Sequence, residues 1–398
     1  MKKLFVIGMA ALLLVAFTMP AMAKVKVGGI VFTDFYYLDR DKENAHFWGQ
    51  GNGDDSYSNT TIQVPNITRL YARWTNEDNV GMYIEWGLGQ KASGIEGSSD
   101  DDGSFLRHAY GWWDVNPMFS LLVGKTTTPF SPLNPSQLLG TRDGSLNIIG
   151  AGYGEFYSGR FAQVRGTFRF GKMARLEVAL VDQHGGNQGP WTYKEDNMWI
   201  PRVDIGVPLY FGPIHVYPSF LWNYKTVDQA QPAVDDNITT WVGSIATKMG
   251  FGPFGLSAEG QYGQNWGNTR GLIGIGFPQQ ISAAHLTSND TNIEDAKTWG
   301  FWIDASWKFG SITPHIIWGM MNTENEDYNP TTNTNYDVEG QTMMLGISVP
   351  IDLAKGFRIR PEVFWYDDGD KDYSGTGAPE NVNLGKYLVA GVQFQITF

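Results

Sequence analysis

Counting back from Phe398, every second residue as far as Leu388 is apolar, and the residues between them from Gly391 onward are polar or small. Successive side chains of a β-strand point to opposite faces of its sheet, so this pattern predicts a strand with one apolar and one polar face. No further element follows to cover the apolar face, and we therefore expect lipid to cover it. An ordinary half-buried strand of a soluble sheet would give the same pattern. The apolar positions are Leu388, Ala390, Val392, Phe394 and Ile396, and the chain ends at Phe398.

The amino terminus has the pattern of a secretory signal peptide. Two lysines precede an apolar run at residues 4–17, and Ala-Met-Ala follows at residues 21–23. A positive segment, a short apolar segment and a small-residue cleavage site in this order are typical of export signals. The apolar run is too short to span a bilayer. We expect residues 1–23 to be removed and residues 24–398 to form one domain.

The composition excludes several classes of protein. The chain has no cysteine, which excludes disulfides, thiolate metal sites and covalent haem attachment. Its formal net charge of −12 would repel the phosphates of a nucleic acid, which argues against a nucleic acid as a partner. No second long apolar run is present, so the chain has no candidate membrane-spanning helix. A soluble all-β protein and a transmembrane β-barrel remain.

Short Phe-Gly turns recur along the second half of the chain at intervals of about 40 residues, with a longer interval of 58 residues before Phe309, as expected for a repeat architecture. Each interval holds two long alternating segments and one long polar segment. The alternating segment at residues 297–309 has the length of a tilted membrane strand. Each repeat is therefore interpreted as one hairpin. The turns are at Phe170-Gly171, Phe211-Gly212, Phe251-Gly252 and Phe309-Gly310.

The whole chain divides into about sixteen such strands. We predict an all-β fold, a transmembrane antiparallel up-and-down β-barrel with short periplasmic turns and long extracellular loops. The long loops are predicted at residues 39–65, 126–157, 264–295, 322–337 and 367–383. The predicted strands are residues 25–37, 67–75, 80–89, 105–113, 118–126, 159–170, 174–182, 198–208, 213–224, 238–249, 254–263, 297–309, 312–321, 338–349, 357–366 and 385–398.

With these features the chain resembles a bacterial outer-membrane general porin. The resemblance rests on the signal peptide, the hairpin repeat, the terminal aromatic strand and the long segment 126–157. It implies an integral barrel in the outer membrane of a Gram-negative cell, in contact with lipid and lipopolysaccharide. It also implies that the barrel-assembly machinery recognises Phe398, that the protein forms a homotrimer, and that segment 126–157 folds into the barrel as a constriction loop.

The residues of segment 126–157 favour a packed loop. Pro129, Pro132 and Pro135 restrict its backbone at the start. Its apolar side chains need a surface to pack against, which the barrel interior, the barrel rim or a neighbouring subunit could supply. These side chains are Phe130, Leu133, Leu138, Leu139, Ile148 and Ile149.

Because side chains alternate between the two faces of a strand, their positions along a predicted strand indicate which charged residues face the lumen. An arginine on the lipid face of a barrel costs about 2–4 kcal/mol near the bilayer midplane, which predicts that Arg69 faces water. Arg107 and His108 are adjacent, so in a regular strand only one of them can face the lumen. We expect this to be Arg107. Arginines facing acidic loop residues would set up a field across the pore; structural pairing with Glu85, Glu177 and Glu362 is the alternative. The predicted pore-lining residues are Arg69, Arg73, Glu85, Arg107, Asp143, Glu155, Arg165, Arg169, Arg358, Arg360 and Glu362.

The outer loops are acidic, as solvated loops often are. Asp370, Asp372 and Ser374 match the start of a calcium-binding loop, although Glu380 comes one position early for the last ligand. Apart from this weak candidate we expect no metal.

The sequence carries no recognised catalytic motif, and we expect no enzymatic activity and no cofactor. Passive diffusion of small hydrophilic solutes and ions is the predicted function. A substrate-specific channel for an anion or sugar, and a sheath barrel that docks an extracellular cytochrome, remain as alternatives.

Overall fold

Sixteen antiparallel strands close into a barrel, as the sequence predicted. The computed structural model describes residues 24–49, 55–65, 67–88, 104–136, 152–156, 158–182, 196–197, 200–227, 237–269, 281–286, 293–328, 336–375 and 378–398. The predicted signal peptide, residues 1–23, lies outside the described residues.

Four of the strands consist of two segments. The strands are β1 (Lys24–Arg40), β2 (Tyr57–Gln63 and Arg69–Thr75), β3 (Val80–Leu88), β4 (Ser104–Asn116), β5 (Phe119–Thr127), β6 (Arg160–Phe170), β7 (Ala174–Val181), β8 (Arg202–Gly206 and Leu209–Phe211), β9 (Ile214–Val227), β10 (Asn237–Phe251), β11 (Phe254–Gln264), β12 (Ala296–Trp307), β13 (His315–Tyr328), β14 (Tyr336–Ser348 and Ile351–Ala354), β15 (Phe357–Asp367 and Asp370–Ser374) and β16 (Lys386–Thr397).

Smaller elements lie at the loop end of the barrel. Short strands at Asp196–Asn197 and Val382–Asn383 pair with β9 and β15, and His285–Leu286 pairs with Ile293–Glu294 as a separate ribbon. A helix, α1 (Lys42–Phe47), follows β1, and Trp266–Asn268 forms a 3₁₀ turn after β11. Among the described residues, no helix is long and apolar enough to cross a membrane.

The barrel closes where its first and last strands meet. β1 pairs with β16 in antiparallel register from Ile30 opposite Thr397 to Arg40 opposite Tyr387. The opposite edge of β1 pairs with both segments of β2. Because every strand has two partners, the sheet has no free edge, and all its ladder hydrogen bonds form within the protein.

The two faces of the wall have the polarity of a membrane barrel. On β1 the side chains of Asp34 and Arg40 are buried, whereas Val31 and Phe35 are exposed on the outer face. The same distribution of polar and apolar side chains recurs on β6, where Gln163 is buried and Val164 and Phe168 are exposed. An apolar outer band with a polar interior is the arrangement that lipid requires and that a soluble sheet avoids.

The tight turns explain the Phe-Gly repeat. Gly171, Gly212, Gly252 and Gly310 all adopt positive φ, between 57° and 63°. A side chain is disfavoured in this left-handed region, so glycine is the residue that such turns select. The phenylalanine before each of these glycines is exposed or ends a strand at this rim.

Some strands extend further than predicted. The first segment of β2 begins at Tyr57, inside the predicted loop 39–65, and β13 continues to Tyr328, into the predicted loop 322–337. Residues Ser58, Asn59 and Thr60 are polar on both faces of the strand. These extensions carry no apolar alternation, which is why their sequences resemble loops.

Phe398 lies at the seam of the barrel. Its backbone N–H donates to the Gly29 carbonyl at 3.1 Å, and the Gly29 N–H donates to the Phe398 carbonyl at 3.1 Å. The phenyl ring lies directly over Gly29, where a β-carbon would collide with it. The terminal residue therefore joins strand closure to an exposed aromatic ring.

Deleting Phe398 is expected to lower the amount of folded protein in the outer membrane several-fold, because both seam hydrogen bonds and the ring contact with Gly29 are lost. Folded barrels migrate differently in detergent gels before and after boiling, which provides the measurement. Phe398→Tyr keeps the ring and the backbone and serves as the control. Equal yields of the truncated and intact proteins would contradict the expectation.

Candidate functional site

The first part of the third outer loop, residues 128–136, runs along the inner wall away from β5. The Ser131 N–H donates to Ser219 Oγ on β9 at 3.2 Å, and Gln261 Nε2 on β11 donates to Ser131 Oγ at 3.3 Å. The Ser136 N–H donates to Asp304 Oδ2 on β12 at 2.8 Å, and Arg360 on β15 donates to the Ser136 carbonyl at 3.0 Å. The segment therefore contacts strands on the opposite side of the barrel from its origin.

The returning part of the loop, residues 152–156, contacts the same side. Thr342 Oγ1 on β14 donates to the Gly152 carbonyl, and the Tyr153 hydroxyl donates to Asp368 and lies 3.0 Å from the Tyr387 hydroxyl. Both described ends of the loop are thus attached to the wall formed by the later strands.

Glycines allow the loop backbone to lie directly on the wall. Gly154 has φ +111°, and a β-carbon there would collide with the Phe301 carbonyl of β12. A β-carbon at Gly319 of β13 would collide with the Tyr153 carbonyl. The sequence analysis did not anticipate this contact, although the glycine-rich run around Tyr153 was visible.

Apolar side chains of the loop pack inside the barrel. The Phe156 ring stacks on Trp266 with centroids 3.5 Å apart, and Phe130 is buried in the same cluster with Leu221 and Met321. The packing surface predicted from the sequence is therefore present for Phe130. Leu138, Leu139, Ile148, Ile149 and the acidic candidate Asp143 lie outside the described residues.

Charged residues converge on Glu85 at the wall formed by β2, β3 and β4. Arg107 Nε donates to Glu85 Oε1 at 2.8 Å, and Arg69 Nε lies 3.5 Å from Glu85 Oε2. The Tyr83 hydroxyl donates to the same Oε2 at 2.6 Å. Glu85 therefore offsets part of the positive charge, as the structural alternative in the sequence analysis expected.

A β-bulge resolves the conflicting parities of β4. Glu85 is opposite His108 and Trp86 is opposite Leu106, so Arg107 is the extra residue. Arg107 contacts Glu85, and the His108 ring lies 4.0 Å from the same carboxylate. Both side chains consequently face inward. A bulge cannot be inferred from alternation, since alternation assumes a regular strand.

Arg160, which the sequence analysis missed, extends this cluster. Its Nε donates to His108 Nε2 at 3.0 Å. His108 Nε2 is therefore the acceptor, and the proton on Nδ1 is available to Thr126 Oγ1, 2.9 Å away. Arg160 shares the parity of the outward-facing Val164, so parity alone would have assigned it to lipid. We call Arg69, Arg107, His108, Arg160 and Glu85 the arginine cluster.

The other predicted arginines are dispersed along the barrel. Arg165 lies 3.5 Å from Glu177, and Arg169 is 2.8 Å from Asp114. Arg358 makes two hydrogen bonds with Asp352 at a tight turn.

Three further candidates also lie apart from the cluster. Glu362 is buried and accepts from Ser348 Oγ at 2.6 Å. Arg73 is exposed, with its guanidinium 4.9 Å from the Trp112 ring centroid. Arg360 contacts the third loop as described above. Those predicted residues that the structure describes therefore do not form one continuous ring.

Glu155 does not face the arginines, in contrast to the prediction. Its side chain is fully buried, and its Oε1 accepts a hydrogen bond from Asn134 of the same loop. Burial, and secondarily the nearby charge of Glu259 on β11, raise the pKa of the Glu155 carboxyl well above its usual range. The close glycine contacts on β12 and β13 carry the returning segment to the opposite wall, which explains the difference.

The calcium-loop candidate is also corrected. Asp370, Asp372 and Ser374 occupy one strand segment of β15, paired with β14, and Asp372 Oδ1 accepts from Asn381 at 2.9 Å. Calcium loops curl around the ion, whereas an extended strand spaces alternate side chains along a line. Within the described part of the chain, no group of three or more His, Cys, Asp or Glu side chains could hold a metal ion.

Comparison with known proteins identifies the architecture. No protein-family model matches the sequence, and neither does any curated protein. The crystal structure of the outer membrane channel DcaP of Acinetobacter baumannii has 16% sequence identity and a TM-score of 0.68, covering 96% of this chain and 99% of that one. The chain has the porin fold.

Two further porin-fold structures extend the comparison. An anion-selective porin from Comamonas acidovorans has 14% identity and a TM-score of 0.59, over 94% of this chain and 100% of that one. OmpT, an outer membrane protein of Vibrio cholerae described in a trimer form, has 12% identity and a TM-score of 0.56, over 94% and 99%. At these identities the likeness establishes the porin fold and leaves the transported solute open.

Proposed function

We propose that this protein is an outer-membrane channel through which small hydrophilic solutes and ions diffuse passively, with a preference for anions. The observation that carries the proposal is the course of the third outer loop. Its described ends contact the wall opposite β5, so it spans the interior of a barrel whose inner face is polar. A loop in this position leaves a narrowed path beside it.

The arginine cluster supports the preference for anions. It places three guanidinium groups around one carboxylate, because Arg69 and Arg107 contact Glu85 and Arg160 reaches it through His108. Rings of positive side chains favour anions in pores, and a low-dielectric wall strengthens their field. One neighbour of the same fold is described as anion-selective; the cluster is the feature of this chain that supports the same property.

Location and assembly form part of the proposal. The exposed apolar outer face supports insertion into a lipid bilayer, and the signal-peptide pattern supports export. We further propose a homotrimer, in line with the trimer form described for one similar structure. The proposed channel acts without catalysis or a cofactor.

Planar-bilayer recording of the purified, folded protein tests the proposal. We expect the conductance to be ohmic and to rise in steps. Across a potassium chloride gradient, the reversal potential should be shifted toward the equilibrium potential of chloride. Heat-unfolded protein is the control. Sugar flux in liposomes should rise linearly with concentration; saturation would favour a substrate-specific channel. Folded protein that does not conduct would overturn the proposal and favour the sheath alternative.

A further inference from the structure

Five side chains form a closed network where the returning part of the third loop meets the barrel seam. The Asn44 side chain of α1 donates to Asp368 Oδ2 at 2.8 Å and accepts from the Arg40 guanidinium of β1. The Tyr153 hydroxyl of the loop donates to Asp368 Oδ1 and lies 3.0 Å from the Tyr387 hydroxyl of β16. The Arg40 guanidinium lies 4.8 Å from the Tyr387 ring centroid, which closes the circuit. We call these five residues the seam network.

Every member of the seam network is buried. None of the five residues is more than 2% exposed. A buried polar group that loses its partner is costly, because water cannot replace the lost hydrogen bond. Hydrogen bonds that share one buried network also strengthen one another. A change at one member is therefore expected to weaken the hold of the network on all the others.

Asp368 is the acceptor that connects the separate parts of the network. It lies in the break between the two segments of β15, and its backbone N–H donates to the Gly385 carbonyl at 3.0 Å. Besides the bonds from Tyr153 and Asn44, its carboxylate accepts the indole N–H of Trp48 at 3.1 Å. One side chain thus receives hydrogen bonds from the third loop and from the connection that follows β1.

Helix α1 is fixed in turn to the connection between β15 and β16. Gly385 has φ +76°, and a β-carbon there would collide with the Asp41 carboxylate and the backbone nitrogen of Asn44. The Lys386 N–H donates to Asp41 Oδ2 at 2.7 Å. One face of α1 is buried by these contacts, whereas His46 is exposed. The helix therefore lies between the seam network and the solvent at the loop end of the barrel.

We propose that Asp368 is a positioning residue for the third loop, and that it joins the returning segment, α1 and the barrel seam into one latch. Among the described residues, Asn44 has no hydrogen bond with the third loop. An influence of α1 on the loop must therefore pass through the seam network. Release of the latch lets residues 152–156 leave the wall. The resulting change in pore width rests on the proposed channel function, whereas the latch itself does not.

Hydrogen exchange of the folded protein in detergent, followed by mass spectrometry, measures the latch directly. Tyr153→Phe removes one hydroxyl and keeps the ring against Tyr366. It should speed exchange of the backbone amides at residues 152–156 at least about fivefold, because local opening becomes easier. Asn44→Ala should speed exchange of the same amides, although it changes α1 and leaves the loop sequence intact. Tyr224→Phe removes a hydrogen-bonded hydroxyl from β9 and is the matched control, with no effect expected.

A double-mutant cycle distinguishes one shared latch from two independent attachments. In the variant that combines Tyr153→Phe with Asn44→Ala, independent attachments would multiply their effects on the exchange rate. A shared latch gives a smaller combined effect, because the first substitution has already released it. Asp368→Asn keeps the side-chain shape with one acceptor oxygen fewer, and should speed exchange at least as much as either single variant. If the loss of charge opposite Arg40 prevents this variant from folding, the cycle decides the question without it.

Single-channel recording measures the consequence for the pore. Folded Tyr153→Phe and Asn44→Ala should show openings to a higher conductance level that the intact protein and Tyr224→Phe lack. A folded protein that does not conduct would overturn the proposed function and leave the exchange experiment as the test of the latch. The latch is overturned by unchanged exchange at residues 152–156 in folded Tyr153→Phe and Asn44→Ala, or by effects that multiply fully in the double variant.

Discussion

Removal of residues 131–154 is expected to raise the single-channel conductance at least about twofold, since the pore radius controls ion flow. The deletion removes the attachments of the loop to Ser219, Asp304, Arg360 and Thr342 together with the segments that make them. The strands keep their own ladder hydrogen bonds, so the barrel should still close.

Single-channel recording in planar bilayers measures this change. Deleting residues 184–194, which lie between β7 and β8 in the sequence, is the control for shortening a connection, and it should change the conductance much less. Boiled and unboiled samples in detergent gels establish that each variant is folded. An unchanged conductance in a folded 131–154 deletion would mean that the loop does not narrow the permeation path.

Arg69→Glu is expected to lower the ratio of chloride to potassium permeability several-fold. The Arg69 side chain is 25% exposed, whereas the Arg107 side chain is 6% exposed and hydrogen-bonded to Glu85. Arg69 is therefore more accessible to water and ions than Arg107. The substitution changes the balance from three arginines against one carboxylate to two against two. Substituting Arg107 instead would leave Glu85 buried without its main partner, and would test folding more than selectivity.

Arg358→Glu is the matched control, with the same change of charge at an exposed tight turn. Its pairing with Asp352 is exposed and contributes little to stability. Reversal potentials should be measured at several salt concentrations, because surface charge is screened more strongly at high salt. Equal shifts from Arg69→Glu and Arg358→Glu would contradict a selective role for the cluster.

The strand positions could be predicted because lipid imposes a simple rule on them. Where a strand crosses the bilayer, every second side chain must be apolar, and the tight turns must accommodate positive φ, as at Gly212 and Gly252. Outside the bilayer the rule no longer applies. The sequence therefore did not indicate that β2 begins at Tyr57 or that β13 continues to Tyr328.

The site was less predictable for two physical reasons. The bulge at Arg107 shifts the parity of β4, so the inward positions of Arg107 and His108 could not both follow from alternation. The position of Glu155 depends on contacts between residues far apart in the sequence, such as Tyr153 with Gly319. The alternation of side chains along the strands was enough to place Arg69 and Glu85 on the inner face. No local sequence pattern, however, specifies which part of the barrel wall a loop will contact.

The attachment of the third loop to the later strands sets an order of events during biogenesis. Its partners Asp304, Thr342 and Arg360 lie on β12, β14 and β15, which are synthesised and exported long after the loop itself. Contacts of such large sequence separation form late. Until those strands arrive, Phe130 and Phe156 have no interior in which to be buried. The loop can therefore take up its final position only once β12, β14 and β15 are in place, which makes its docking one of the last steps of maturation.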